Sequence, residues 1–486
     1  MQKHFLIRLL VLCFACSQFM CSKKMNNSGG SNPPPPPTTN GPAVDVWQTS
    51  GDKNNLLAKI TTRNFVTPAS TLPTSQEIEI NTAQTYQPID GFGASLTGSS
   101  AYVINRYLSP ASRTLLLQDL FTKSGIGIDY IRLTIGASDF SLSDFSYDDM
   151  ADDTLMTAFS ISAENADLLP VLKNIITINP NIKILASPWS PPAWMKTNNS
   201  MKGGSLKPAY YHAYARYFVK YIQAMKTEGI NIDAITIQNE PLYGTATYPC
   251  MFMFAGEQRD FIKDHLGPMF AQNNINTKII LYDHNWDKPL YGDTILQNAT
   301  ARQYVAGTAF HAYGGAVEAM TTLHNLHPDK DLYFTEISGG GWAPNFSDNI
   351  KWFTENIIIG TTRNWSRNAL LWNMALDQND GPKNNGCSNC RGVVTVNANG
   401  TIARNEEYYV LGQAGKFVNQ GAQRCFSTDI SAQGIKNVAF LNTDGSKVLI
   451  VMNTTAALKS FRIKDGNNSL NFDLQPNAIY TFYWNK

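Results

Sequence analysis

The chain predicts an α/β protein: a (β/α)8 TIM barrel joined to a β-sandwich that both chain ends build. Three patterns carry that reading. Eight short apolar runs alternate with helical patterns between residues 91 and 425, as in a closed parallel barrel. Short alternating segments precede and follow that region with no helix between them. Two acids, Glu240 and Glu336, each end an apolar run and enter a Gly-, Pro- or Ser-rich loop, where a barrel places its reactive groups.

In chain order, residues 1–21 read as a lipoprotein-type export signal. Met1-Gln2-Lys3-His4 is basic, and Phe5 to Ala15 is apolar apart from Arg8, too short for a mature span. Cys16, after Phe14-Ala15, and Cys21, before Ser22-Lys23-Lys24, are the candidate lipid-anchor positions. The expectation is an exported protein on the periplasmic or cell-surface side, touching the membrane only through its lipid. One acyl chain binds marginally, so stable anchoring needs more than one. Residues 22–43, with Pro33 to Pro37 uninterrupted, read as a tether that cannot build a core.

Residues 44–90 supply the first sandwich strands, from alternating segments such as 57–60 and 77–80. Residues 91–425 supply the barrel. Its strands are expected at 91–95, 130–135, 183–188, 234–239, 278–283, 307–313, 332–337 and 369–374, with helices such as 210–228 and 256–272 between them. Residues 426–486 return to strands, at 437–441, 448–452, 460–463 and 479–484, and complete the sandwich. No internal repeat or transmembrane pattern follows the leader.

Net charge is +1, which argues against nucleic acid and against electrostatic membrane binding. Charged residues make up 16%, against a usual figure of about 25%. Asn, Thr and Ser fill the polar positions, a surface suited to a neutral ligand. Of seven cysteines, three lie in the leader. Cys387-Ser388-Asn389-Cys390 is a lone C-x-x-C, with no second pair or His at zinc spacing. In an exported chain it reads first as a structural disulfide, then as free thiols, and last as metal ligands.

The two acids carry the chemistry. Glycoside hydrolysis needs one carboxyl to protonate the leaving oxygen and another to attack or to activate water. Glu240 and Glu336 are far apart in sequence, yet a barrel brings strands four and seven to one mouth. Carboxyls about 5–5.5 Å apart mean retention of configuration, and about 6.5–9.5 Å inversion. The bland alternative is an incidental Glu at a strand-end turn. Asn239 beside Glu240 can bond a sugar hydroxyl near the reacting carbon, and Pro241 ends the strand. Trp189, in Ser187-Pro188-Trp189-Ser190-Pro191-Pro192, offers a rigid platform for a sugar face, whereas Trp194 reads equally as core. His311 and Tyr313 share one face by alternation and could orient the nucleophile, unless His311 is a satisfied core residue. An inward Arg132 could keep a carboxylate ionised, Asp139 could accept from sugar hydroxyls, and Trp372-Asn373 completes the ring. The acid/base is expected to have the raised pKa of the pair, pushed up by the nucleophile's charge.

These motifs resemble glycoside hydrolase family 30. The likeness runs from Gly91-Phe92-Gly93-Ala94-Ser95 through Ile131-Arg132-Leu133, Ser138-Asp139-Phe140-Ser141, the Ser187–Pro192 segment, Gln238-Asn239-Glu240-Pro241, Phe310-His311-Ala312-Tyr313, Thr335-Glu336 and Trp372-Asn373-Met374-Ala375-Leu376. The resemblance implies the barrel-plus-sandwich fold and a retaining mechanism. It makes Glu240 the acid/base and Glu336 the nucleophile. It lines the first sugar site with Asp139, Trp189, Asn239, His311, Tyr313 and Trp372, and it implies no metal or cofactor. Members include glucosylceramidases, β-glucosidases, endo-β-1,6-glucanases and xylanases. Leu376-Asp377-Gln378-Asn379-Asp380-Gly381-Pro382, the Cys387–Cys390 segment and Glu336-Ile337-Ser338-Gly339-Gly340-Gly341-Trp342 look most like the β-1,6-glucanase branch, which adds Trp342 to the substrate-binding candidates. Ile337 departs from the Cys common in that branch. The expectation is therefore a monomeric endo-β-1,6-glucanase acting on a neutral glucan or glucoside. The alternatives are a β-glucosidase or glucosylceramidase, the latter tied to sphingolipid metabolism, and a surface glycan-binding protein that would need neither Glu.

Overall fold

The computed structural model describes residues 39–70 and 76–485. The expected signal, its Cys16 and Cys21, and the expected tether up to residue 38 lie outside the described residues. The tether's last expected residues are corrected: Thr39 to Ala43 already belong to the strand Thr39–Ser50, paired with Ala58–Thr67. Among the described residues, no helix is long and apolar enough to cross a membrane.

Eight parallel strands form the barrel: Gly91–Ser95, Tyr130–Thr134, Lys183–Ser187, Ala234–Thr236, Lys278–Asn285, Val305–His311, Asp331–Glu336 and Asn368–Leu371. They pair in chain order, and the eighth pairs back on the first. The seventh and eighth meet through a bridge between Leu332 and Ser366 and through the Asn368 side chain, which accepts from the Phe334 amide at 2.8 Å. The fourth strand is shorter than the sequence predicts. It ends at Thr236, so Asn239 and Glu240 stand on the loop beyond it. The eighth likewise ends at Leu371, short of Trp372 and Asn373.

Alternation fills the barrel in layers. Tyr130, Leu185, Ala234, Ile280, Ala309, Tyr333 and Leu370 form an apolar layer, with two tyrosines set among smaller residues. The first strand contributes Gly93, where a Cβ would lie 1.9 Å from the Tyr130 carbonyl oxygen. Two residues onward along six strands come Arg132, Ser187, Thr236, His311, Thr335 and Trp372, one step nearer the C-terminal mouth. The period of two thus sets a polar layer directly above the apolar one. Outside, the helix Tyr211–Thr227 buries Tyr214, Tyr217, Phe218, Tyr221, Ile222 and Met225 at helical spacing against the strands.

Nine strands build the sandwich, three before the barrel and six after it, and they hydrogen-bond in a closed ring. A closed ring leaves no free sheet edge. Three of these strands extend past the segments read from sequence: Thr39–Ser50, Gln423–Ser427 and Asn468–Leu474. Gln423–Ser427 straddles residue 425, so the sandwich takes up the chain slightly before its expected start at 426. The strands Ile435–Leu441 and Lys447–Asn453 are apolar almost throughout because both faces are covered. Val438, Phe440, Val448, Ile450 and Met452 join the barrel's core, while Ala439, Leu449 and Val451 join the sandwich's own.

At the barrel floor, Arg367 donates to Asp90 from Nε at 3.0 Å and Nη2 at 2.9 Å, and from Nη1 to Asp331 at 2.9 Å. Asp90 is buried, and without the guanidinium only Lys183, 3.3 Å from its Oδ1, is left as an ion-pair partner among the described residues. Arg367→Ala is expected to cost about 3 kcal/mol of unfolding free energy, read as an earlier midpoint in urea. A midpoint equal to wild type would mean the floor cluster contributes nothing.

Candidate active site

Asp283 organises the polar layer. Its Oδ2 accepts from Arg132 Nη2 at 2.7 Å, Ser187 Oγ at 2.8 Å and Thr236 Oγ1 at 2.7 Å. Its Oδ1 accepts from Thr335 Oγ1 at 2.6 Å and pairs with His311 Nε2 at 3.0 Å. Burial opposes this charge, but Arg132 and His311 outweigh it and hold the carboxyl well below the ordinary range. Strand alternation does not predict an inward Asp283. Tyr282 and Asp283 both have positive φ, 70° and 63°, and the ladder to the next strand shifts register between Tyr282 and His284. This bulge turns Asp283 inward where Tyr282 was due.

Arg132, fully buried, continues the network. Nη1 donates to Glu336 Oε2 and Nη2 to Asn239 Oδ1 at 2.8 Å. Its guanidinium lies 4.8 Å from the Trp189 ring centre and 5.6 Å from that of Trp372. The two indoles stack at 5.0 Å. Asn239 therefore has its oxygen engaged and its amide N–H left for a ligand. Tyr313 donates its hydroxyl to Glu336 Oε1 at 3.0 Å. A second register shift, between Phe334 and Glu336, lets the neighbours Thr335 and Glu336 both face the site.

Glu240 has φ 46°, and its amide donates to the Asp283 carbonyl at 2.9 Å. Its Oε1 lies 3.1 Å from His311 Nδ1. A ligand atom from each of Glu240, His311 and Glu336 lies within 4.8 Å of the others. Both His311 nitrogens already meet carboxylates and Arg132 holds Glu336, so the trio is occupied by its own ion pairs.

Burial opposes a charge on His311, but the negative charges of Glu336 and Asp283 and the bonds to Asp283 and Glu240 push it up to about 9. Burial likewise raises Glu240, but the hydrogen bond from His311 and its charge bring the carboxyl below its ordinary value. Glu336 is raised, first by burial and also by Glu240 and Asp283, against the pull of His311 and Arg132. This split is the reverse of the expected one, in which the acid/base would be raised. The cause is a charged imidazole bonded to Glu240. One proton belongs to the Glu240–His311 pair and sits on the ring side.

The cavity above these groups holds about 560 Å³ and is lined by Asp139, Trp189, Asn239, Glu240, Tyr313, Glu336, Trp342 and Trp372 among others. Asp139 Oδ1 is buried without a partner, and burial followed by the charges of Glu336 and Glu240 raises its pKa well above the ordinary value. Trp342 stands on the rim, 55% exposed. Cys387 and Cys390 are joined by a disulfide and wall one side. Trp194 is a packing residue: its ring meets Tyr210, and Nε1 donates to the Asp148 carbonyl. The sequence reading gathers ten of the residues found here, from Arg132 to Trp372, but not Asp283, Thr236, His284, Tyr243 or Tyr248. Alternation could have found Thr236. Nothing in the sequence marks the bulge.

Comparison with known proteins agrees with this geometry. The model for "Glycosyl hydrolase family 30 TIM-barrel domain" matches residues 89–418, and that for "Glycosyl hydrolase family 30 beta sandwich domain" matches residues 421–482. An endo-1,6-beta-D-glucanase of Neurospora crassa is 36% identical over 410 residues, covering 80% of this chain and 84% of the relative. Mouse lysosomal acid glucosylceramidase is 29% identical, covering 82% of each. A solved endo-beta-1,6-glucanase superposes with a TM-score of 0.84 at 36% identity, over 91% of this chain and 99% of its own.

Asp283→Asn removes a negative charge that helps keep His311 protonated. The basic limb of kcat/KM against pH should move to lower pH, and kcat should fall about 100-fold. An unmoved limb would show that Asp283 does not set the His311 proton.

Proposed function

The chain belongs to glycosyl hydrolase family 30, and within that family of glycoside hydrolases we propose that it is a retaining endo-β-1,6-glucanase. The observation that carries the mechanism is the approach of Glu240 and Glu336, with a carboxylate oxygen of each within 4.8 Å. That spacing suits direct attack, since inversion needs carboxyls about 6.5–9.5 Å apart to admit water. The linkage is supported by likeness to endo-1,6-beta-glucanases at 35–36% identity, against 29–31% for the glucosylceramidases.

In the first step Glu336, kept anionic by Arg132 and Tyr313, attacks the anomeric carbon. The bond to the leaving oxygen breaks, and that oxygen takes the proton held by the Glu240–His311 pair. A glycosyl ester on Glu336 results. Esterification removes the Glu336 charge that strengthens the pair's hold on its proton, so proton release and attack favour each other. In the second step Glu240 takes a proton from water, the hydroxide oxygen bonds to the anomeric carbon, and Glu336 leaves as a carboxylate. Its returning charge helps the pair keep the new proton. Trp189 and Trp372 offer apolar faces to the first sugar, and Asp139 and the Asn239 amide offer hydrogen bonds to its hydroxyls.

The basic leader and its cysteines support a protein exported and anchored through a lipid on Cys16 or Cys21. Mass spectrometry of the mature N-terminal peptide tests that arm. An acylated Cys16 or Cys21 is expected, and an unmodified N-terminus would mean simple secretion.

Incubation with β-1,6-, β-1,3- and β-1,4-glucans tests the substrate. Short oligosaccharides of mixed length from the β-1,6 polymer alone are expected. Glucose alone, or activity confined to aryl glucosides and glucosylceramide, would move the protein to the exo-acting or lipid-glycoside members. The acids are tested separately. Glu336→Gln should abolish turnover. Glu240→Ala should lose about 10²–10⁴-fold on the polymer, yet with an aryl glucoside and azide it should form the β-glucosyl azide. An α-azide, or full activity in either variant, would sink the assignment. The wild-type pH profile should show both limbs. The acid limb, where Glu336 gains a proton, lies above the ordinary carboxylate range; the basic limb, where the Glu240–His311 pair loses its proton, lies toward 9.

A further inference from the structure

We propose that His284 determines specificity on the leaving-group side, its ring binding a hydroxyl of the glucosyl unit that departs. This rests on the endo-glucanase reading of the same site. His284 follows Asp283 on the fifth barrel strand and lines the cavity. It is only 8% exposed, and among the described residues its ring has no hydrogen-bond partner. Its Nδ1 is buried without a partner, and its Nε2 lies 4.0 Å from Glu240 Oε1, beyond hydrogen-bond range. Buried polar atoms are ordinarily paired, so an unpaired Nδ1 together with an Nε2 that no protein group within hydrogen-bond range engages leaves the ring free for a ligand.

The contrast with His311 is direct. The two ring centres stand 6.4 Å apart, and both rings approach the same Glu240 oxygen, His311 at 3.1 Å and His284 at 4.0 Å. His311 spends both nitrogens on Glu240 and Asp283 and is held charged. His284 spends neither, and burial lowers its pKa, so the ring is neutral. A neutral imidazole has one donor and one acceptor. With nothing bonded to Nδ1, neither tautomer is fixed, and Nε2 can present a lone pair or an N–H. A hydroxyl, which both donates and accepts, fits either; a carboxylate or phosphate would find no charge to meet.

The position selects the sugar. Glu240 protonates the leaving oxygen, so groups beside it and away from Glu336 meet the unit beyond the cleaved bond. Tyr243 and Tyr248 come from the loop that follows Glu240, stack at 6.3 Å, and line the same cavity. They supply apolar faces next to the His284 ring.

The test compares a β-1,6-gluco-oligosaccharide with cyclohexylmethyl β-glucoside, whose leaving group is likewise a primary alcohol that needs the Glu240 proton but carries no sugar hydroxyl. The quantity is the ratio of the two kcat/KM values. His284→Phe should lower that ratio about tenfold, and His284→Gln, which keeps hydrogen-bonding atoms, should recover part of it. His284→Ala serves if the Phe variant does not fold, with far-UV circular dichroism as the check. A ratio within about twofold of wild type, or equal losses on both substrates, would overturn the proposal, since equal losses mean that the ring acts through Glu240. Should the wild type cut no β-1,6-linked chain, the substrate reading fails first. A wild type that cuts while the variants keep its ratio defeats only the role of His284.

Discussion

The site depends on one buried carboxylate. Asp283 sits at the centre of the barrel mouth with five side-chain partners, and it fixes two cations that reach different ends of the reaction. Arg132 runs from Asp283 to Glu336 and Asn239; His311 runs from Asp283 to Glu240. A charge buried alone would be prohibitively costly, so none of these groups is tolerable without the others. The consequence is positional. Each ring or guanidinium has one arrangement that satisfies its partners, and the carboxyls of Glu240 and Glu336 inherit it.

The same network sets the protonation of the site. Its anions outnumber its fixed cations once Glu240 and Glu336 are both ionised, and the surplus raises the proton affinity of His311. The proton therefore moves with the charge on Glu336. Under the proposed roles, this ties acid and base functions to the chemical state of the nucleophile without any movement of the backbone. It also explains why the resting order of the two carboxyls is the reverse of what two interacting acids alone would give.

The remainder of the fold keeps this arrangement dry and rigid. Beneath the polar layer lies an apolar one, and beneath that an ion-paired floor at Asp90, Arg367 and Asp331. The sandwich covers the barrel on one face with the same strands that form its own core, which is why those strands carry apolar residues on both sides. Loops then do the selecting. The wall beside Asp139 is held by the Cys387–Cys390 disulfide, and the strand after Glu336 pairs Gly339 and Gly340 with Arg391 and Cys390.

Periodicity determined much of this protein unaided. Short apolar runs separated by helical patterns gave all eight barrel strands, and alternating segments gave the sandwich at both ends. The residues two steps past each apolar position then carried the polar layer, including Arg132, His311 and Trp372. Placement at the ends of apolar runs picked out the two acids, and the resemblance of local motifs assigned their roles. What only the tertiary structure decided lies where period two breaks. The bulge at Tyr282 and Asp283 inverts one strand's facing, so the residue that organises the site occupies a position alternation assigns to Tyr282. The fourth strand stops early, so Glu240 is held by a left-handed turn and by the Asp283 carbonyl. The charge on His311 depends on Asp283 of the fifth strand, Glu336 of the seventh and Glu240 on the loop after the fourth. Alternation is a local rule fixed by backbone geometry. A bulge and a shared proton are fixed by what neighbouring strands bring within a few ångströms, which no single strand encodes.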